Sequence, residues 1–210
     1  MLSVKHKFLF GGGLPFCHSE RRYFHPTNPR FLTYMSIRDE VQKHVATGEL
    51  VAYRPRSRKP ARRRLFLTKG ALRELNNPNS AVRLLEGHGP IEAAMTKWVN
   101  GERIYGRWKG GVLKCAFLCR LDAPPPEVWE IRVTEPLVRW RIFGRFAAPD
   151  TLIVTEMRTR TLLGKRGSSG WTSAMADCVQ AWQALFPNDV PFTANKSREY
   201  VTENCDDFEL

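Results

Sequence analysis

Apolar positions change period along the chain. Ser36 stands as a cap ahead of Ile37, Val41 and Val45, Asp39 follows three residues later, and Gly48 closes the run, so a helix is predicted there. Leu65–Thr68 reads as a short strand, residues 70–75 as a weak helix, and Ser80 as the cap of a turn through Leu85. Pro90 suits a first helical position, and Ile91, Ala94, Met95, Trp98 and Val99 follow at helical spacing up to Gly101. Beyond it the period falls to two. Val112–Leu121 is a mostly apolar strand, and in Glu127–Val133 the residues Trp129, Ile131 and Val133 oppose Glu130 and Arg132. Leu137–Phe146 and Thr151–Arg160 flank a turn at Ala147-Ala148-Pro149-Asp150. From Trp171 to Phe186 a helical stripe of Trp171, Ala174, Met175, Cys178, Val179, Trp182, Leu185 and Phe186 returns, ended by Pro187.

Helices, then an antiparallel sheet, then a closing helix make an α+β fold. The segments are a flexible arm over 1–34, a helix with a basic linker carrying Pro55 and Pro60 over 35–64, the α+β domain over 65–187, and an acidic tail over 188–210. A chain of 210 residues, 42% hydrophobic, can bury one core. No apolar run approaches the roughly 18 residues of a membrane span. Gly11-Gly12-Gly13 breaks the short apolar patch behind Lys5 and Lys7, which argues against a secretory signal. Five cysteines without framework spacing point to reduced thiols and a cytoplasmic protein. Cys115 and Cys119 share a strand face but lack a second ligand pair, so no metal site is expected.

Charge narrows the function. The net +12 predicts an anionic partner, nucleic acid first. Nine basic residues and no acid lie between Arg54 and Arg73, and Arg56, Arg58, Lys59, Arg62, Arg63 and Arg64 of this run are candidates for sequence-independent phosphate contacts. The tail carries six acids against two bases, and is either a solvated end or a segment that folds back over a basic face. No P-loop, dinucleotide fingerprint, Ser-His-Asp order or paired-carboxylate motif is present, and no cofactor is expected.

The strand Val138–Phe146 concentrates the candidate chemistry. Alternation sends Arg139, Arg141, Phe143 and Arg145 to one face and Val138, Trp140, Ile142 and Phe146 to the core. Arg132 on the preceding strand, and Arg158 and Arg160 on the next, join the first face if the strands pair in order. Guanidiniums bind phosphate bidentately, and Phe143 among them is placed to stack a base. The plainer reading is a solvated sheet face, with Glu130 and Glu156 as cross-strand partners.

Glu127-Val-Trp-Glu-Ile-Arg-Val133, Val138-Arg-Trp-Arg-Ile-Phe-Gly-Arg-Phe146 and Asp150–Arg158 resemble the RelE/HigB/ParE toxin superfamily, nearest its phage-derived Gp49-like branch. The resemblance covers residues 65–187 and is sharpest over 127–166. It implies a twisted antiparallel sheet, with N-terminal helices and a C-terminal helix packed on it. It also implies a ribosome-dependent, metal-independent mRNA endonuclease held in check by a cognate antitoxin. Arg132 matches the arginine of the family's first motif strand, Arg139 or Arg141 that of the next, and Arg158, Arg160 and Lys165 the basic turn that follows. In those roles Arg139, Arg141, Arg158 and Arg160 stabilise the phosphorane and Lys165 donates a proton, while Arg132, Phe143, Arg145 and Arg166 hold the nucleic acid. Active members often carry a Tyr or His where Met157–Arg166 has neither. That difference favours an alternative, the same fold kept as a non-catalytic nucleic-acid- or protein-binding module. A ParE-like gyrase inhibitor is a further alternative, resting on superfamily membership alone.

Overall fold

The computed structural model of the protein describes residues 29–56, 59–107, 116–121, 127–134 and 138–207. Its first helix, α1 (Pro29–Ala46), starts seven residues ahead of Ser36 and takes Pro29 as its first residue, where the missing proline N–H breaks no helical bond. Strand β1 (Leu50–Ala52) follows and pairs antiparallel with β2 (Arg64–Thr68). The Thr68 hydroxyl accepts from the Ala71 amide to cap α2 (Lys69–Asn76), and Ser80 does the same for α3 (Ala81–Leu84) from Arg83. Helix α4 (His88–Val99) begins two residues before Pro90.

Strands β3 (Ile104–Arg107), β4 (Leu118–Arg120), β5 (Trp129–Val133), β6 (Trp140–Ala148) and β7 (Thr151–Thr159) come next. The chain then forms α5 (Arg160–Leu163), α6 (Ser169–Leu185), α7 (Ser197–Tyr200) and β8 (Cys205–Asp207). The first part of the expected strand Val112–Leu121, up to residue 115, lies outside the described residues.

The strands form one mixed sheet in the order β1-β2-β7-β6-β5-β4-β3-β8. Strands β4 to β7 are an antiparallel meander, β2 lies parallel to β7, and β3 lies parallel to both β4 and β8. The architecture is therefore α+β. The hairpin joining β6 and β7 turns at Pro149-Asp150, where Asp150 takes the left-handed conformation that a short polar side chain tolerates. In β6, Gly144 sits at a register shift, where a Cβ would come within 2.4 Å of the Ile153 carbonyl oxygen, so the strand needs glycine there.

Both sheet faces are covered. Leu65, Leu67, Trp129, Ile131, Trp140, Ile142, Phe146, Leu152 and Val154 pack with Ala71, Leu75, Val82, Ile91, Met95 and Trp98 of α2–α4. On the opposite face, Phe66, Ala147 and Ile153 meet Ile37 and Val41 of α1 with Trp182 and Phe186, while Val128 and Phe143 meet Trp171, Ala174 and Cys178 of α6. The stripe expected on the last helix is thus its sheet-facing side.

Two segments join the core that composition alone placed outside it. The stretch before residue 65 supplies β1 and the buried Ile37, Val41 and Leu50. The acidic tail folds back: Phe192, Tyr200 and Val201 are buried on the face covered by α2–α4, and β8 pairs with β3. A buried polar knot fixes it. The Tyr200 hydroxyl donates to Glu127, 3.1 Å from each carboxylate oxygen, and accepts from the Ala194 amide at 2.8 Å. Arg120 forms a close ion pair with the same carboxylate, and the Trp129 indole donates to it at 3.1 Å. Burial raises the pKa of Glu127 and that of Tyr200 above their ordinary values.

Tyr200→Phe removes one donor from a buried carboxylate, and should lower unfolding free energy by about 1–3 kcal/mol in denaturant titrations at pH 7. Above pH 10 the unfolded chain ionises this phenol first, so the folded state holds more protons and stability falls as pH rises. The Tyr200→Phe variant should show a shallower alkaline fall; an identical slope would remove Tyr200 from that account.

Candidate nucleic-acid interface

The meander register lays charge in rows across the α6-covered face. Arg132, Arg141 and Arg158 are direct cross-strand partners on β5, β6 and β7. The neighbouring row is Glu130, Phe143 and Glu156, with Cys119 of β4 beside Glu130. Each arginine therefore has a carboxylate within one step along the strand. Glu130, fully buried, pairs with Arg132 at 2.8 Å and with Arg141 at 3.0 Å. Arg141 also donates to the carbonyl of Trp140 at 2.8 Å. Arg158 forms a close ion pair with Glu156, and its guanidinium lies 2.7 Å from Asp177 of α6. Burial lowers the pKa of Arg141 and raises that of Glu156. Three guanidiniums in line would repel each other; the acid row and Asp177 offset that.

This arrangement corrects part of the sequence reading. Phe143 is not a base-stacking residue: it is fully buried and meets Trp171 edge-on at 5.9 Å between ring centres. Arg141 and Arg145 are buried rather than presented to a ligand. The Arg145 guanidinium lies over the Trp182 ring at 5.3 Å, held by α6. Of the two acids that the plainer reading named as cross-strand partners, Glu130 pairs across to Arg141 while Glu156 pairs with Arg158 on its own strand, and α6 covers the face that reading left in solvent.

What remains accessible is a rim around that row. Arg139, Lys165 and Arg166 are exposed, Arg160 is half-buried, and the Arg158 side chain keeps 30% of its surface. The Arg160 amide donates to the Arg139 carbonyl at 2.7 Å, which ties the start of α5 to the start of β6. The Arg160 guanidinium forms a close bond to the Gly164 carbonyl and lies over Trp171 at 5.5 Å. Gly164 and Gly167 take left-handed φ values, so the turn carrying Lys165 and Arg166 can close before α6. The rim and row together hold Arg132, Arg139, Arg141, Arg158, Arg160, Lys165 and Arg166 against Glu130, Glu156 and Asp177. Positive charge is in excess, and it lies outermost.

The basic linker does not belong to this rim. Arg64 pairs with Thr151 at the opposite end of β7 from Arg158, about 23 Å away at a strand rise near 3.3 Å. Arg56, Lys59, Arg62 and Arg64 are exposed there, and Arg58 lies outside the described residues. Arg63 is buried: it lies over Trp98 at 5.1 Å, donates to the Glu203 carbonyl at 2.6 Å and reaches Asp150 at 4.0 Å. It joins linker, hairpin and C-terminal segment, so it is no phosphate contact. Arg62 pairs with Glu203 at 3.5 Å, and the acidic tail thus covers part of the linker rather than the arginine strand.

Asp177 escaped the sequence reading, which saw only the apolar stripe of its helix. Its signal was available, since it is the only charged residue between Ser169 and Leu185. The Glu127–Tyr200–Arg120 knot left no such signal, because its members are distant in sequence. Among the described residues, no group of three or more His, Cys, Asp or Glu stands where it could hold a metal ion, and no helix is long and apolar enough to cross a membrane. Comparison with protein-family models, curated proteins and solved structures gave no match for the chain.

Arg141→Ala would leave the Glu130 carboxylate buried with half its ion pairing, and should cost about 3–5 kcal/mol of unfolding free energy. Arg139→Ala, at an exposed position, should stay within about 0.5 kcal/mol. Denaturant titration of both variants checks the contrast, and comparable losses would mean that the arginine row carries no structural load.

Proposed function

We propose that the chain is a nucleic-acid-binding module of RelE/HigB-like build, gripping the phosphates of single-stranded RNA through the rim of Arg139, Arg158, Arg160, Lys165 and Arg166. The observation that carries this reading is the division of the basic residues. Arg141 and Arg145 are committed to internal partners, while the cations of one turn and one strand start stay accessible. Such a rim supplies point charges and forked donors without reading base edges, so its contacts are to the backbone. The order of elements supports the kinship: α2–α4 precede the β4–β7 meander, and α6 packs back on it, as the resemblance implies.

The rim also bears on catalysis. Cleavage by a ribose 2′-hydroxyl needs a base and an acid at the scissile phosphate. The stretch Met157–Arg166 offers arginines and Lys165 but no His or Tyr, and Arg141 is turned inward to Glu130. Binding without cutting fits these groups better. The second reading, a ribosome-dependent mRNA endonuclease restrained by an antitoxin, draws on one specific feature. Arg158, Arg160 and Lys165 lie within a single strand end and turn, where they could stabilise a phosphorane.

The test pairs anisotropy with a labelled RNA of about 16 nucleotides and 5′-end mapping of mRNA after induced expression in a bacterial host. Expected are salt-dependent binding and intact mRNA. Replacing Arg139, Lys165 and Arg166 together by Ala should flatten the salt slope by about 0.7 per lost contact. Absence of binding at low salt would overturn the proposal, whereas in-frame cuts would establish the nuclease in its place.

A further inference from the structure

Helix α6 is an uncharged helix but for one residue. Its Trp171, Ala174, Cys178 and Trp182 are buried and fasten it to the sheet. Its single carboxylate, Asp177, falls opposite Arg158, the most exposed arginine of the cross-strand row. The Asp177 carboxylate lies 2.7 Å from the Arg158 guanidinium, and the Ser173 hydroxyl one turn earlier donates to the same oxygen at 3.3 Å. The Arg158 and Asp177 side chains keep 30% and 45% of their surface, so the pair is open to solvent and to a ligand. Arg158 already has Glu156 as a close partner. A second carboxylate on one guanidinium gives that triad a net negative charge inside a basic rim.

An exposed ion pair adds little to a helix already anchored by buried aromatic rings. The geometry accordingly gives Asp177 a different role. We infer that Asp177 is a built-in competitor for the polyanion: its carboxylate occupies the place on Arg158 that an RNA phosphate would take, so that RNA must displace it to bind. This rests on the reading of the rim as an RNA-binding surface. A carboxylate and a phosphate oxygen present the same acceptors to a guanidinium, so one excludes the other at that edge of the fork. The contact weakens binding of short or poorly placed strands, whereas a strand that also engages Arg139, Arg160 and Lys165 keeps enough contacts to displace it.

The experiment uses the full chain and the same RNA of about 16 nucleotides. Wild type is compared with Asp177→Asn, with Asp177→Asn combined with Arg158→Gln, and with Glu74→Gln, which removes an equal charge on α2. Asp177→Asn should bind about three- to five-fold tighter, the equivalent of a lost exposed ion pair. Its salt slope should steepen by about 0.7, one further phosphate contact. The double variant should lose the gain, Glu74→Gln should match wild type, and the melting temperature of Asp177→Asn should be unchanged. If wild type binds and Asp177→Asn binds no tighter, the competitor is overturned and the RNA-binding rim stands. A fall in melting temperature without an affinity gain overturns it too, in favour of a purely structural pair. If neither protein binds at low salt, both readings fail together; binding by Asp177→Asn alone supports both.

Discussion

The buried carboxylate of Glu130 is the interaction on which this face of the sheet depends. A strand carrying arginines at alternate positions can leave that face in water, or it can accept a cover if each guanidinium is met by an acceptor. Here Glu130 stands between Arg132 and Arg141 and receives both. With two charges of the row compensated inside the protein, α6 can lay Trp171, Ala174 and Cys178 over Phe143 without stranding a cation. Further along, the Arg145 guanidinium lies over the face of Trp182. The ionic row and the apolar patch are successive steps along the same strand. Removing the carboxylate would therefore disturb the seat of the helix as well as two arginines.

A second constraint acts on the opposite face. Glu127, in a left-handed backbone conformation at the start of β5, receives Arg120, Trp129 and Tyr200. This brings the acidic tail into the core as part of the sheet, with β8 on the edge beyond β3. Arg63 does the corresponding work for the linker, since its donors end on carbonyls of Glu102 and Glu203. In both places a polar residue that composition assigns to the surface ties distant segments together through backbone carbonyls or a shared carboxylate.

How much of this was legible follows from the range of each interaction. The period-two strands β5 to β7, the Thr151–Thr159 partner of the arginine strand, the Ser80 cap and the stripe of α6 are local patterns, and each lies where the periodicity put it. Strands β1, β3 and β8 have three or four residues each and owe their pairing to neighbours far along the chain, so no local period marks them. The side chains of β6 were assigned to the correct faces, since alternation is a backbone property. The covering of one face was not, because a pattern of charges does not reveal whether a helix supplies the missing acids. Phe143 shows the difference most plainly: its neighbours on the strand are arginines, yet its neighbours in space are Trp171 and Cys178.

The same distinction decides which basic residues can serve a ligand. Arginine content draws the eye to the strand Val138–Phe146, whereas the accessible cations stand at the strand start and in the turn that follows β7, where the proposed RNA contacts fall. A residue whose guanidinium is already ion-paired with a buried carboxylate has to break that pairing before it can bind a phosphate, and breaking it strands the carboxylate. An exposed residue such as Arg139 or Lys165 gives up only water. The energetic order of the cations is thus the reverse of their prominence in the motif, with Arg141 the costliest to recruit and the rim the cheapest. Arg158 stands between the two classes, partly exposed and doubly paired. On the proposed reading, Asp177 facing it from α6, rather than the motif that contains it, sets how readily it is released.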